Sequence, residues 1–307
     1  MLSVVVNFHD NRREAMNSLH ALSRAYQRDA QQLDFEVIAL DHGSSKPLEA
    51  TDVRAFGPEF HYRCIETKAV SPAAAINAAC REARGDELLV LIDGAHIVTP
   101  GVYALARRAF AQFASPFIAM PPLHLGPKRQ NESVSEGYNQ QVEDALLARC
   151  DWKHHGYRLY SVAGAFADGG LGWFGCAFEA GCFGMRKSDY LALGGFDERF
   201  VSRGGGLVAL DLFQRAVARA DLQYVMLLGE ASFHQFHGGV ASNAPQAQHP
   251  WQEFHAEYER LRGKPFARVP RRPFYLGSLP DEALGVARVS AEHGLAQWIK
   301  AAAGGEA

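Results

Sequence analysis

Apolar and polar positions alternate along this chain in blocks that change period several times. Leu2–Phe8 (LSVVVNF) is a β-branched apolar run, the pattern of a buried strand. Over Asn11–Ala30 the apolar residues Ala15, Leu19, Leu22 and Tyr26 fall on one helical face, with Arg and Gln elsewhere. Phe35–Leu40 (FEVIAL) predicts a second strand, closed by the turn residues Asp41-His42-Gly43-Ser44-Ser45, and Tyr62–Thr67 a third, weaker one. Ser71-Pro72 opens a helix over Ala73–Ala83, with proline in its first turn, and Gly85 ends it. Glu87–Ile92 is the most strand-like segment of the chain.

Strand, helix, strand, helix, strand at these spacings predicts an α/β fold with a doubly wound, mostly parallel sheet. Ligands of such sheets bind at the carboxyl ends of the strands. Asp41 and Asp93 both follow a predicted strand directly, and so are candidates on position alone. Farther on, the pattern predicts a helix over Pro100–Phe113, a strand over Phe117–Met120 and a polar helix over Gln130–Leu147. Gly169–Gly184 is rich in glycine and aromatic residues and reads as a loop shaped around a ligand. Asp211–Ala220 is helical, Tyr224–Leu228 a strand, and Trp251–Arg262 a polar helix. From Pro265 a tail bearing proline and arginine wraps the surface.

Composition narrows the class of function. With 307 residues, 48% hydrophobic and 21% charged, the chain can build a full core without disulfides or structural metals. A net charge of -3 argues against nucleic acid as partner, since phosphate-backbone binding needs clustered Lys and Arg. The five cysteines are odd in number and lack C-x-x-C spacing, which suits a reducing compartment. The opening MLSVVVNFHD has no basic stretch followed by a long apolar run, and no later apolar run approaches the ~20 residues that span a bilayer. A cytoplasmic protein is expected, with peripheral contact at the inner membrane face and homo-oligomerisation both compatible with the sequence.

Several segments in order resemble the inverting glycosyltransferases of family 2, which have the GT-A fold. The opening LSVVVNFHDNRREAMNSLHAL resembles the first strand and helix of that family, and FEVIALDHGSS its second strand with an Asp-x-Gly-Ser turn. SPAAAINAACREARGDELLVLIDGAH resembles the helix with an Asn, followed by the strand that leads into the metal motif Asp-x-Asp. GMRKSDYLALGGFDERF, GGGLVALDLFQRA and FHQFHGG resemble the acceptor-side segment, the following Glu-Asp helix with Leu210 in place of the Glu, and the late histidine. The likeness covers about residues 1–240, so a GT-A domain over 1–240 is expected. Its nucleotide-binding half would span 1–100, its acceptor-binding half 101–240, and a helical Pro/Arg-containing extension 241–307.

The resemblance implies transfer of a sugar, from a nucleotide donor such as a UDP-sugar, to a carbohydrate or lipid-linked glycan. It implies Asp211 as the base that takes the acceptor proton; the plain alternative is an acid favoured by the dipole of its predicted helix. Asp41 would contact the nucleotide base, or close an Asx-type turn, and Asn77 and Arg186 would serve the donor. Trp173, Phe174, Asp197 and Glu198 would line the acceptor pocket; ordinary packing and turn closure are the plain alternatives. Asp93 would be the first carboxylate of the metal motif, whose second position is Ala95. His96, His234 and His237 are the residues that could complete a divalent metal site, Mn or Mg, in place of the missing acid.

Overall fold

A computed structural model describes residues 1–166 and 172–302. Its strands are β1 (Leu2–Phe8), β2 (Phe35–His42), β3 (Phe60–Ile65), β4 (Glu87–Leu91), β5 (His96–Val98), β6 (Pro116–Met120), β7 (Pro122–Leu125), β8 (Ala163–Phe166), β9 (Cys182–Arg186), β10 (Gln223–Leu228), β11 (Ser232–His234) and β12 (Phe274–Gly277). The α-helices are α1 (Arg12–Ala21), α2 (Ala50–Arg54), α3 (Ala73–Glu82), α4 (Val102–Gln112), α5 (Gln130–Ser133), α6 (Gln140–Cys150), α7 (Lys187–Ala192), α8 (Val208–Ala218), α9 (Trp251–Arg262) and α10 (Leu284–Ala302).

The main sheet runs β12-β10-β6-β9-β4-β1-β2-β3. Strands β1, β2, β3 and β4 are mutually parallel, as the alternating pattern predicts, and β1 is buried along its whole length. This is a mixed α/β fold with a mostly parallel central sheet. Its strand order reverses beside β1, so the carboxyl ends of β1, β2 and β4 open onto one crevice.

Strand β9 corrects the sequence reading. Gly169, Gly170 and Leu171 of the expected loop lie outside the described residues. Cys182–Arg186, expected mainly as loop, is instead an antiparallel strand in the middle of the sheet, between β4 and β6. Glycine hides the strand pattern and is also what the packing needs. A Cβ on Gly184 would come 2.8 Å from Leu89 Cδ2 and 3.1 Å from the Leu88 carbonyl oxygen. Helix α1 also stops sooner than its apolar face suggests. Ser23 Oγ donates to the His20 carbonyl and Gln27 Nε2 to the Ala21 carbonyl, each at 2.7 Å, so side chains take the bonds that a further turn would use.

The tail from Pro265 is more ordered than a surface wrap. Strand β12 extends the sheet parallel to β10, and α10 lies over the Trp173–Phe174 turn, where Phe174 N–H donates to Ser290 Oγ at 3.0 Å. Its arginines serve the fold: Arg271 donates to the carbonyls of Val217, Arg219 and Leu222 at the end of α8, and Arg268 sits 4.3 Å over the Phe178 ring. No helix among the described residues is long and apolar enough to cross a membrane.

Candidate metal centre

A second, smaller sheet, β5-β11-β7-β8, stands at the carboxyl edge of the first. After β4 the chain turns sharply at Asp93-Gly94. Gly94 N–H donates to the Asn7 carbonyl at 2.6 Å, and a Cβ there would press into the Phe8 ring, so the turn lies flush on β1. Asp93 Oδ1 accepts the Ala95 N–H at 2.9 Å, which fixes the carboxylate and leaves Oδ2 facing away from that bond. The chain then enters β5 at His96.

The register of this small sheet brings three histidines onto one rung. His234 on β11 is the direct partner of His96 on β5 and of His124 on β7. Cross-strand partners share a face, and the rings follow: His96 to His234 is 5.0 Å between centroids, and His124 to His234 is 5.3 Å. His237, just beyond β11, sets its ring edge-on to His234 with centroids 5.1 Å apart. Asp93 Oδ2 lies 3.3 Å from His234 Nε2 and 3.2 Å from His237 Nε2. The four residues expected at a metal, Asp93, His96, His234 and His237, thus converge.

The electrostatics match this crowding. Burial alone would raise the Asp93 carboxyl, but His237 and His234 beside it hold it well below the usual carboxylate range. Burial would lower His237, and the facing Asp93 raises it instead. His96 is pushed down to about 3 by burial and then by His234, so it is a neutral imidazole with a lone pair to offer.

The donor set fits a divalent transition metal. One ligand atom from each of Asp93, His96 and His234 lies within 4.8 Å of the others. Ligands bound about 2.1 Å from a common ion stand roughly 3.0–3.4 Å apart, the range of the Asp93–His234 and Asp93–His237 distances. His96 Nδ1 is buried and has no hydrogen-bond partner among the described residues, an orphan that a cation would satisfy. One carboxylate among imidazoles favours Mn or Zn over Mg, which prefers oxygen ligands.

Gly181 keeps room for this arrangement, since a Cβ there would run into Ser232 Oγ and come 2.9 Å from His96 Cε1. Gly181→Ala is expected to weaken Mn binding about tenfold by tilting His96, at a stability loss of about 1–3 kcal/mol. Parallel titration calorimetry and urea denaturation check both numbers; unchanged Mn affinity would place His96 outside the centre.

The other residues singled out from sequence take varied places. Asp41, buried at the carboxyl end of β2, accepts the Leu48 N–H on Oδ2 at 2.8 Å, while Oδ1 has no partner among the described residues. Asn77 fastens α3 to the Gly195–Glu198 turn, bonding Phe196 and Glu198, and Glu198 also lies 3.9 Å from Arg81. Arg186 donates to the carbonyls of Phe110, Phe113 and Ala114 at the end of α4, which satisfies a helix terminus. Trp173 is fully buried and bonds the Glu230 carbonyl, and Phe174 packs on Tyr275. Asp197 is held low by Arg199 and Arg262.

Asp211 is the largest departure from expectation. Its buried carboxylate accepts Arg215 Nε at 2.7 Å and Arg262 Nε and an Arg262 terminal nitrogen at 2.5 and 2.7 Å. Two guanidinium groups occupying both oxygens do not suit a carboxylate to proton abstraction. Its neighbours Ala209 and Leu210 line the cleft above the metal centre instead, together with Glu179, Arg129 and Trp251. His124, Gln130 and Glu179 were not visible as site residues in the sequence. His124 sits in PPLHLGP, where nothing but strand pairing shows that it meets His234.

Solved structures share this architecture. A S. aureus TarS fragment, residues 1–349, in complex with UDP-GlcNAc superposes with a TM-score of 0.51 at 14% identity, over 95% of this chain and 71% of that one. A longer S. aureus TarS structure gives 0.50 at 14% identity, over 76% of this chain. The fold is GT-A-like. Our chain spans 36% of the length of that longer TarS structure. The mannosyltransferase PcManGT from Pyrobaculum calidifontis, in complex with GDP-Man and Mn2+, superposes with a TM-score of 0.46 at 15% identity, over all of this chain and 76% of that one. No family model matches the chain, and no curated protein matches it in sequence.

Proposed function

We propose that the protein is a glycosyltransferase that moves a sugar from a nucleotide-sugar donor to a carbohydrate or glycoconjugate acceptor, with inversion. The observation that carries this reading is the placement of Asp93 and its histidines. They cluster at the carboxyl edge of a parallel sheet, where such folds bind nucleotides, as a set of ligands that could hold one cation. The TarS fragment of like fold holds UDP-GlcNAc, which supports the donor class.

In this reading the nucleotide base lies over the ends of β1 and β2, where the unpartnered Oδ1 of Asp41 accepts a base N–H. Asp93, His96 and His234 hold the metal, with His237 beside them. The metal, when bound, neutralises charge on the departing diphosphate. Arg129 adds positive charge along the same wall. The exposed ring of Trp251 gives a sugar a flat apolar face, as aromatic side chains in sugar sites do. Glu179, a second carboxylate lining this cleft, takes the acceptor proton in place of Asp211. Glu179→Gln is expected to lower turnover about a hundredfold and leave metal-assisted nucleotide binding intact. Single-turnover kinetics beside calorimetry checks this, and undiminished transfer would remove Glu179 from the chemistry.

A second reading has its own observation. Helix α8 turns Ala209 and Leu210 to the cleft and Asp211 away from it, as a nucleotide- or glycan-binding protein without transfer could do. Calorimetry with UDP and GDP, with and without Mn, followed by a screen of nucleotide-sugar donors, separates the two. Metal-enhanced binding with donor turnover supports the transferase. Binding without turnover on any donor supports the second reading, and binding indifferent to metal counts against the centre itself.

A further inference from the structure

Gln130 is wholly buried at the start of α5 and touches two of the histidines with different parts of itself. Its backbone N–H donates to His124 Nδ1 at 2.8 Å, and its side-chain Oε1 lies 2.7 Å from His234 Nδ1. The surroundings fix which way its amide points. On one side Nε2 faces the His234 carbonyl at 3.0 Å, Glu143 Oε2 at 3.3 Å and the Leu125 carbonyl at 3.4 Å. Carbonyl oxygens only accept, so an amino group must stand there. On the other side Oε1 accepts from Asn243 Nδ2 at 2.8 Å. Asn243 is itself oriented, because its Oδ1 accepts the backbone N–H groups of His237, Gly238 and Gly239 at 3.0, 2.9 and 3.0 Å. Turning the Gln130 amide over would set donor against donor and acceptor against acceptor.

A neutral imidazole has one N–H and one lone pair. Since Gln130 Oε1 accepts, His234 carries a hydrogen on Nδ1, and Nε2 is the one ring nitrogen left for a cation. That nitrogen lies 3.3 Å from Asp93 Oδ2, with Ser242 Oγ and His237 Nε2 each at 3.2 Å. A carboxylate oxygen and an imidazole nitrogen so close could share one cation. His124 is the reverse case. Its Nδ1 accepts the Gln130 N–H, so its hydrogen is on Nε2. That N–H has no partner among the described residues, and the ring lines the cleft. For His124 to bind a metal through Nε2 it would have to become an imidazolate.

We infer that Gln130 locks His234 and His124 in opposite tautomers, making His234 a metal ligand through Nε2 and His124 a hydrogen-bond donor to an anionic oxygen in the cleft. The tautomer assignment stands on geometry alone. The identity of the anion, a nucleotide diphosphate, rests on the proposed function. One buried glutamine thereby divides two adjacent histidines between two tasks: the first holds a cation, the second the charge that the cation neutralises.

The first test is made on the metal-free protein. Long-range proton–nitrogen correlation of imidazole-labelled protein at mildly alkaline pH is expected to show His234 with hydrogen on Nδ1 and His124 with hydrogen on Nε2. The same tautomer for both, or the reverse pair, would overturn the inference. Gln130→Met removes the side-chain acceptor and keeps the backbone donor, so the His234 pattern is expected to become mixed while that of His124 stays. The second test uses His124→Phe. UDP affinity in the presence of Mn is expected to fall about tenfold, the loss of one charge-assisted hydrogen bond, with Mn affinity unchanged. Loss of Mn affinity would make His124 a ligand, and unaltered UDP affinity would remove it as a donor. A wild-type protein that binds neither Mn nor UDP would overturn the proposed function and the donor role of His124, while the tautomer result would still stand or fall by the spectra.

Discussion

Asp93→Asn is expected to abolish the enhancement of UDP binding by Mn and to lower transfer about a thousandfold. The replacement keeps the shape of the turn, because an Asn Oδ1 can still accept the Ala95 N–H that Asp93 accepts at 2.9 Å. What it removes is the negative charge among the imidazoles of His96, His234 and His237. A thousandfold corresponds to about 4 kcal/mol, a reasonable size for losing the anionic ligand of a metal that stabilises a leaving diphosphate. The charge also sustains His237, whose raised pKa depends on the facing carboxylate. Manganese affinity by calorimetry and transfer by product assay check the prediction together. Retained Mn dependence would mean that the cation is held elsewhere.

Asp211→Ala is expected to damage the fold more than the chemistry. It leaves Arg215 and Arg262, both largely covered, facing each other without the carboxylate that now separates them. Breaking a buried ion pair by removing one partner costs about 3–5 kcal/mol, and here two guanidinium groups share that partner. For a chain of this size the midpoint of thermal unfolding would drop by roughly 5–8 °C. Arg262→Ala should destabilise through the same carboxylate, so the double variant should lose less than the two single losses added. Urea denaturation of the three variants measures this coupling. If Asp211→Ala kept full stability and lost only turnover, the carboxylate would be chemical after all.

These two acids show how far sequence reasoning carries. Asp93 was legible because it ends an apolar run, and in a parallel sheet the end of such a run is the crevice. Asp211 lies on the expected helix, but its purpose depends on Arg262, far along the chain on α9, and no local pattern reports that partner. Strands β1, β2 and β4 were readable from their β-branched and apolar runs. Strand β9 was not, since glycine-rich flanks mask a short strand whose central residue must itself be glycine. The histidines divide the same way. His96, His234 and His237 stand near recognisable motifs, whereas His124 joins them through strand pairing alone.

The histidine rung also bears on how the protein folds. Its members come from β5, β7 and β11, strands that are distant along the chain, so the loops between them must close before the imidazoles can meet. In a strand, slipping by one residue turns every side chain to the opposite face. A mispaired β11 would therefore point His234 away from Asp93 and dismantle the proposed cation site. If the refolded protein takes up Mn as proposed, that uptake would mark the last step, the moment at which the small sheet finds its register.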